Sequence, residues 1–528
     1  MDDATTTQAD DTTAPGDDIA APADDTAAPA DEGTAPADDT TEPIVAQPPR
    51  VWPTSLIELT GGWTIATPYT VLARDVELAV EHLPDGLSIT APVGWRVHVP
   101  THSGVRYVHI PEGWSSIEPL ATQCVILENG ETFCNITYRE PDYLPGHLEI
   151  GSERGRVSLR WQFGAAQVPG FTCLTFDSWD ELIAEHRAWM TSVGHVKPLA
   201  AVAPPWLQRC PLIIYLDLES ITGGAPHHTF EDVVSLAARL AEIEAPPDTT
   251  VYLTTWNDGG QRRYPTYEAS VAAGGLDGLR RAADALHERG YRLMLHSNVW
   301  GCSPVHPEYT RMVAYKVHNR AGHALSWREF QGDHVSEYIY VRPDCRAFRE
   351  NFWGSLQPIV EATSLDALYL DQAGLLVDDP MADILQSTRN LIDMIRGDAP
   401  ELVLGGQVLT SRLCDQISLW QLWGTPWSGH GWGQPFRRRS RIIADLFAGL
   451  TRFCAHLYLP AAVPGRYLWQ HEGFSDDLGT VGCFLAAQED NSYHDAARCV
   501  RLNFREHGVD SLSYEVIEQA RRRAASRP

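Results

Sequence analysis

Residues 366–374 read Asp-Ala-Leu-Tyr-Leu-Asp-Gln-Ala-Gly, DALYLDQAG. The run Ala367–Leu370 is apolar throughout, as expected of a short strand buried in a parallel sheet. It delivers an aspartate, Asp371, into a turn that ends at Gly374. A carboxylate at the end of a buried strand is costly unless it is paired or used, so the stretch predicts both a parallel sheet and a working group at its edge.

On either side of this stretch, apolar strands alternate with amphipathic helices. From Pro211 they run PLIIYLDLES, the helix TFEDVVSLAARLAEI, TTVYLTTWNDGG, the helix GLDGLRRAADALHERG, and YRLMLHSNVWG. In the second helix Leu276, Leu279, Ala283 and Leu286 form the expected buried stripe, with Gly290 as its C-terminal stop. Then follow a helix around FRENFWGSLQPIVEAT, DALYLDQAG itself, the helix DILQSTRNLIDMIR and the strand LVLGGQVLT; QISLWQLWG, RFCAHLYLP and VGCFLAAQ are further strand candidates. About eight strands over roughly 290 residues suit a (β/α)₈ barrel of the TIM type. A doubly wound sheet is the alternative, but its phosphate fingerprint is missing: GHGWG at 429–433 lacks the strand-to-helix context.

Residues 51 to about 175 read as short alternating β runs, such as GWRVHV, RYVHI, CVILE and RVSLRWQF, separated by Gly, Pro and Asn. The expected organisation is an acidic linker over 1–49, a β-sandwich-like domain over 50–200, a (β/α)₈ catalytic barrel over 205–505 and a helical tail over 506–528. The linker repeats with a seven-residue step, in Asp10-Asp11, Asp17-Asp18, Asp24-Asp25, Asp31-Glu32 and Asp38-Asp39, with Pro15, Pro22, Pro29, Pro36 and Pro43 at the same interval. Proline at every seventh position excludes a continuous coiled-coil helix and leaves an extended, self-repelling tether.

Net charge is −28, and the 13 Asp and Glu before Arg50 leave −15 on the remainder. Nucleic acid and anionic membrane surfaces are therefore disfavoured as partners. No apolar run is long enough to span a bilayer, and Met1 begins no signal peptide. The tether is of the kind that follows an export signal or lipid anchor, so an extracellular or envelope-tethered location is expected. Oligomeric state is not legible. The ten cysteines show no C-x-x-C pair or His/Cys cluster, which argues against structural zinc. Cys124 and Cys134 flank the hairpin turn in VILENGETF and read either as a cross-strand disulfide or as two buried thiols.

In both candidate folds ligands meet the carboxyl ends of parallel strands. Those ends carry Asp217 and Glu219; Trp256, Asn257 and Asp258; His296 and Asn298; Asp371 and Gln372; Gln407; Trp420 and Trp423; His456; and, last, Glu489 and Asp490. Acidic groups beside tryptophans suit carbohydrate, whose apolar C–H faces stack on indole while carboxylates and amides meet its hydroxyls. The segment WQLWGTPWSGHGWGQPF gathers Trp420, Trp423, Trp427, His430 and Trp432 among glycines, as a sugar-binding loop or a packed lid. No G-x-S-x-G elbow, H-E-x-x-H helix or Walker loop is present, and no cofactor or metal is expected.

The segment WNDGGQRRYPTYEASVAAGGLDGLRRAADALHERGYRLMLHSNVWG, followed by DALYLDQAG, resembles the α-glycosidase-like TIM barrels, including the endo-α-N-acetylgalactosaminidase group and DUF6259-like relatives. The resemblance covers roughly residues 205 to 490, and the preceding β domain also looks like theirs. It implies a retaining glycosidase whose nucleophile, ending strand four, is Asp371. It also implies a carboxylate acid/base ending strand five, where LVLGGQVLT offers Gln407. An amide cannot give and retrieve a proton as a carboxylic acid does. Three resolutions follow: another rim carboxylate (Asp258, Glu219, Asp415 or Glu472), help from the sugar's own N-acetyl group, or a carbohydrate-binding protein that does not hydrolyse. Carboxyl groups about 5–5.5 Å apart would mean retention, and about 6.5–9.5 Å inversion. The expected site places Asp371, Gln407 and Asp258 at the chemistry. Asp217, Glu219, Trp256, His296, Asn298, Gln372 and the 420–432 loop would hold the sugar.

Overall fold

The computed structural model describes residues 171–219, 226, 228–242, 244–319, 322–331, 334–377, 379–422, 442–457 and 480–487, with 521 and 525. In the N-terminal third it describes 58–59, 69–73, 76–83, 86–100, 113–117, 120–130, 132–138, 147–154 and 156–162. The linker, Trp423, Trp427, His430, Trp432, Glu472, Glu489 and Asp490 lie outside the described residues, as do the side chains of Asp217 and His456.

The α/β part is a curled parallel sheet. Its strands, in chain order, are Leu212–Asp217 (β1), Thr250–Thr254 (β2), Arg292–Asn298 (β3), Ala367–Asp371 (β4), Val403–Gln407 (β5), Leu419–Leu422 (β6), Arg452–Leu457 (β7) and Thr480–Ala487 (β8). Each pairs in parallel with its neighbour in the chain, and β8 pairs back onto β1. Crossover helices are less regular than the strands. Helices Phe230–Glu242 (α1), Gly275–His287 (α2), Arg346–Thr363 (α3) and Ile384–Asp398 (α4) follow β1 to β4. A single 3₁₀ turn, Ser411–Leu413, bridges β5 and β6, so the even strand-helix alternation expected from the sequence breaks there. Of the stripe predicted on α2, Leu279, Ala283 and Leu286 are buried, but Leu276 is 41% exposed: the buried face is centred on Gly278, Leu279, Ala282 and Ala283, and Leu276 stands at its edge.

Strand parity divides the core in two. Ile213, Tyr252, Met294, Ala367, Tyr369, Val403, Leu419 and Cys454 cluster inside the curl. Leu368, Leu370, Leu404 and Trp420 point outward into the larger cluster formed with the helices. Burial on both faces is why β4 reads as an unbroken apolar run. Inside, Tyr215, Tyr252, Tyr369 and His296 make successive ring contacts at 5.1–6.3 Å, a packed aromatic floor beneath the next inward position, Asp371.

The opposite end of β4 is anchored by Asp366. Its carboxylate lies 2.7 Å from His287 Nε2 and 3.0 Å from Arg292 Nη1, and it accepts the Leu293 N–H at 2.9 Å. Arg292 also reaches Asp248, which pairs with Arg209. Removing one partner of a buried charge network leaves the others uncompensated. Asp366→Ala is expected to cost about 3 kcal/mol, checked by urea unfolding, while the carboxyl end of β4 keeps its local geometry.

The N-terminal third forms two sheets. One orders Glu58–Leu59, Phe171–Phe176, Phe133–Tyr138, Cys124–Glu128 and Arg96–His98. The other orders Tyr69–Ala73, Val76–Leu83, Gly86–Val93, Arg156–Gln162, His147–Glu153 and Gly113–Ile117. Ala121, Cys124 and Ile126 join the cluster that packs the helices of the α/β part, and Trp179 Nε1 donates to Asp445 at 2.9 Å. The register corrects the disulfide option for Cys124 and Cys134. Cys124 lies opposite Thr137 and Leu127 opposite Cys134, an odd offset that sends the two thiols to opposite faces. Cys134 Sγ instead lies 2.8 Å from Cys173 Sγ, and the described cysteines are free thiols. From the tail, Arg521 donates to the Glu244 carbonyl at 3.0 Å. Among the described residues no helix is long and apolar enough to cross a membrane.

Candidate active site

The carboxyl end of β4 is built as a turn held on three sides. Asp371 occupies the last inward position of the strand, with its side chain 18% exposed. Asn298, its register partner on β3, donates from Nδ2 to Asp371 Oδ2 at 2.9 Å and to Gln372 Oε1 at 3.2 Å. The other end of the same amide, Oδ1, accepts the backbone N–H of Trp300 at 2.9 Å and of Gly301 at 2.7 Å. Two fixed donors on Oδ1 determine which way the amide points. His296 Nε2 stands 4.0 Å from Asp371 Oδ2.

Gln372 has φ +59°, a left-handed conformation uncommon outside glycine. Three bonds hold it. Gln407 Oε1 accepts its backbone N–H at 3.3 Å, Trp300 Nε1 donates to its carbonyl at 2.8 Å, and Asn298 takes its side chain. Gly374 closes the turn by donating to the Gln407 carbonyl at 2.9 Å. A Cβ at Gly374 would overlap the Val408 carbonyl oxygen, so the glycine that ends the quoted stretch is required by close backbone approach. Val408 is itself left-handed at φ +63°, as is Thr255 at +46°, beyond the end of β2. Non-glycine strain at three strand ends of one rim is a mark of a functional site.

The sequence-predicted residues separate into groups. Asn298, Gln372, Gln407 and His296 surround Asp371. Asn298 is 0% exposed and works inside the wall, not on its surface. Trp256, also 0% exposed, stacks on Tyr267 and donates to the His296 carbonyl at 2.9 Å, which makes it backing for the rim. Trp420 points outward between sheet and helices, a placement that follows from its parity beside the inward Leu419 and Gln421. Glu219 is buried and accepts the Ser270 hydroxyl, and Asp415 is paired with Arg389 at 3.1 Å. Asn257 is buried and donates to the Gly260 carbonyl. Asp258 is half-buried after β2, and its carboxylate takes no hydrogen bond or ion pair among the described residues.

Sequence reasoning missed a tyrosine cluster. Tyr338 and Tyr340 come from an antiparallel hairpin, Ser326–Gln331 with His334–Tyr340, inserted between β3 and α3. Tyr338 accepts from Asn298 Nδ2 at 3.3 Å, and Tyr267 accepts the Asn298 backbone N–H at 2.7 Å. Burial first, and then the Asp371 charge, push the Tyr340 phenol above its ordinary range; burial likewise dominates at Tyr267. Both remain neutral, hydrogen-bonding phenols around neutral pH. The repeat in EYIYV, two tyrosines on one strand face, was the available signal.

No family model matches the chain, and no curated protein matches it in sequence. Solved structures do match in fold. The ligand-free α-N-acetylgalactosaminidase NagBb of Bifidobacterium bifidum superposes with a TM-score of 0.57 at 13% identity, over 85% of this chain and 80% of that one. The cycloalternan-degrading enzyme of Trueperella pyogenes gives 0.54 at 14% identity, over 87% and 69%. The chain shares its fold with these two enzymes.

Proposed function

We propose that the protein is a glycoside hydrolase acting on an oligosaccharide, polysaccharide or glycoconjugate through a (β/α)₈ barrel, with a β-sandwich-like domain before it and retention of anomeric configuration. The observation that carries this reading is Asp371, partly open at the carboxyl end of an inward strand position with one oxygen held by Asn298. The glycosidase fold supports it. Asp371 attacks the anomeric carbon through its carboxylate as the glycosidic C–O bond breaks, giving a covalent glycosyl-enzyme; water then displaces the carboxylate and restores it. Gln407 accepts from the Gln372 backbone, and an amide holds no proton for the leaving oxygen. The acid/base is therefore assigned to Asp258, the rim carboxylate that the described partners leave open. Asp258 protonates the departing oxygen and later takes a proton from the attacking water. The acidic repeat before Arg50 supports an extracellular or envelope-tethered setting, with the linker as a spacer.

The test is turnover of a panel of α- and β-linked glycosides and mucin-type glycans by the whole chain and by Asp258→Asn. The parent is expected to release the aglycone from one anomeric series. Asp258→Asn should lose alkyl glycosides by about 10²-fold or more while sparing nitrophenyl glycosides, whose leaving group departs without a proton. Silence of the parent across the panel would overturn the hydrolase reading. Equal loss on both leaving groups would overturn the role of Asp258.

A further inference from the structure

We infer that Asn298 and Gln407 are positioning residues, a pair of amides that clamp the Asp371-Gln372 dipeptide from both sides and fix the orientation of the Asp371 carboxylate. The inference rests on Asp371 being the nucleophile. It moves Asn298 from the sugar pocket into the wall behind it, and gives Gln407 a task other than proton transfer.

The geometry points to one connected device. The Asn298 amide cannot rotate, because Oδ1 is taken by the N–H groups of Trp300 and Gly301 while Nδ2 faces Asp371 Oδ2, Gln372 Oε1 and Tyr338. It is fully buried, so it has no surface to offer a sugar. From the other side Gln407, 6% exposed, takes the Gln372 N–H, and its backbone carbonyl takes the Gly374 N–H. Between the two amides sits the left-handed Gln372. A conformation of this cost persists only where its surroundings over-determine it. One consequence is electrostatic: a donor fixed on Oδ2 favours the ionised carboxylate. The other is geometric: with Oδ2 tied to Asn298, the plane of the attacking carboxylate is held by groups that never touch the substrate.

Because the amides act through Asp371, their loss must appear in the chemical step and not in binding. The experiment measures kcat, KM and the pH profile of kcat/KM for the whole chain carrying Asn298→Ala, Asn298→Asp, Gln407→Ala, Gln407→Glu and the Asn298→Ala/Gln407→Ala double, using a nitrophenyl glycoside the parent cleaves. Each alanine variant is expected to lower kcat by about 10- to 100-fold with KM within about threefold. The double should fall well short of the product of the singles, since both amides hold one body. In Asn298→Ala and Asn298→Asp the acidic limb of the profile is expected to move to higher pH, most in Asn298→Asp, whose added carboxylate opposes a second charge. Asn298→Asp keeps the Oδ1 acceptor, so it reports even where the alanine variant unfolds. Gln407→Glu keeps an oxygen for the Gln372 N–H and should recover much of what Gln407→Ala loses. A rise in KM with kcat intact would make these residues substrate contacts and overturn the inference, as would an unmoved acidic limb. Full activity in Asp371→Asn would remove the nucleophile itself, an outcome separate from either.

Discussion

Asp371→Asn is expected to lower kcat by about 10⁴-fold or more while leaving the urea unfolding midpoint within a few tenths of a molar. The substitution removes the attacking charge but little else. Asparagine has nearly the same shape, and its Oδ1 can take over the hydrogen bond from Asn298 Nδ2, now 2.9 Å from the aspartate. The site is only 18% exposed, so a neutral side chain also relieves part of the cost of holding a carboxylate there. Loss of activity with stability kept is the signature of a group used in chemistry. A purely structural carboxylate would show the reverse. Steady-state turnover and equilibrium unfolding on the same preparation separate the two. Substantial residual turnover would show that the reacting carboxylate lies elsewhere on the rim.

Gly374→Ala is expected to cost at least about 3 kcal/mol in stability and to remove activity from whatever fraction folds. The new methyl meets a backbone carbonyl, that of Val408, which no rotamer change can clear. Relief would require moving β5's end, yet Gln407 is tied there to Gly374 and to Gln372. Overpacking against a fixed main chain is therefore transmitted straight into the turn that carries Asp371. Gly354→Ala is the matched control: it lies within α3, and a Cβ there meets nothing within 4 Å. Its replacement should be neutral, or stabilising by up to about 1 kcal/mol through helix propensity. Similar costs at both positions, in parallel urea titrations, would refute the close-approach argument.

Much of this was legible in the chain because the relevant signals are periodic. Eight apolar runs gave the parallel strands, and the rule that ligands meet their carboxyl ends selected Asp371, Asn298, Gln372, Gln407 and His296 as neighbours. Depth was less legible. Trp256 and Trp420 were chosen for their chemistry as sugar platforms, yet Trp420 lies one residue out of phase with Leu419 and Gln421, and that parity sends it into the helix layer. Asn298 read as a pocket residue, since nothing in a linear sequence shows that two backbone N–H groups will capture its oxygen. The tyrosine hairpin was missed because it is antiparallel and interrupts an α/β rhythm. Leu276 differs for a simple reason: a stripe read at helical spacing does not fix where the centre of the buried face lies, and here it lies on Gly278, Leu279, Ala282 and Ala283.

The nine residues DALYLDQAG contain two aspartates five positions apart, and the strand between them keeps their duties separate. Asp366 is locked into the arginine and histidine network at one end, and Asp371 is held by the Asn298 amide at the other. Selection or design can therefore act on the two ends independently. The loops that follow β2, β3 and β4 can lengthen, shorten or exchange side chains, and the footing at Asp366 is undisturbed. A scaffold divided in this way can change what one end meets without having to learn to fold again at the other.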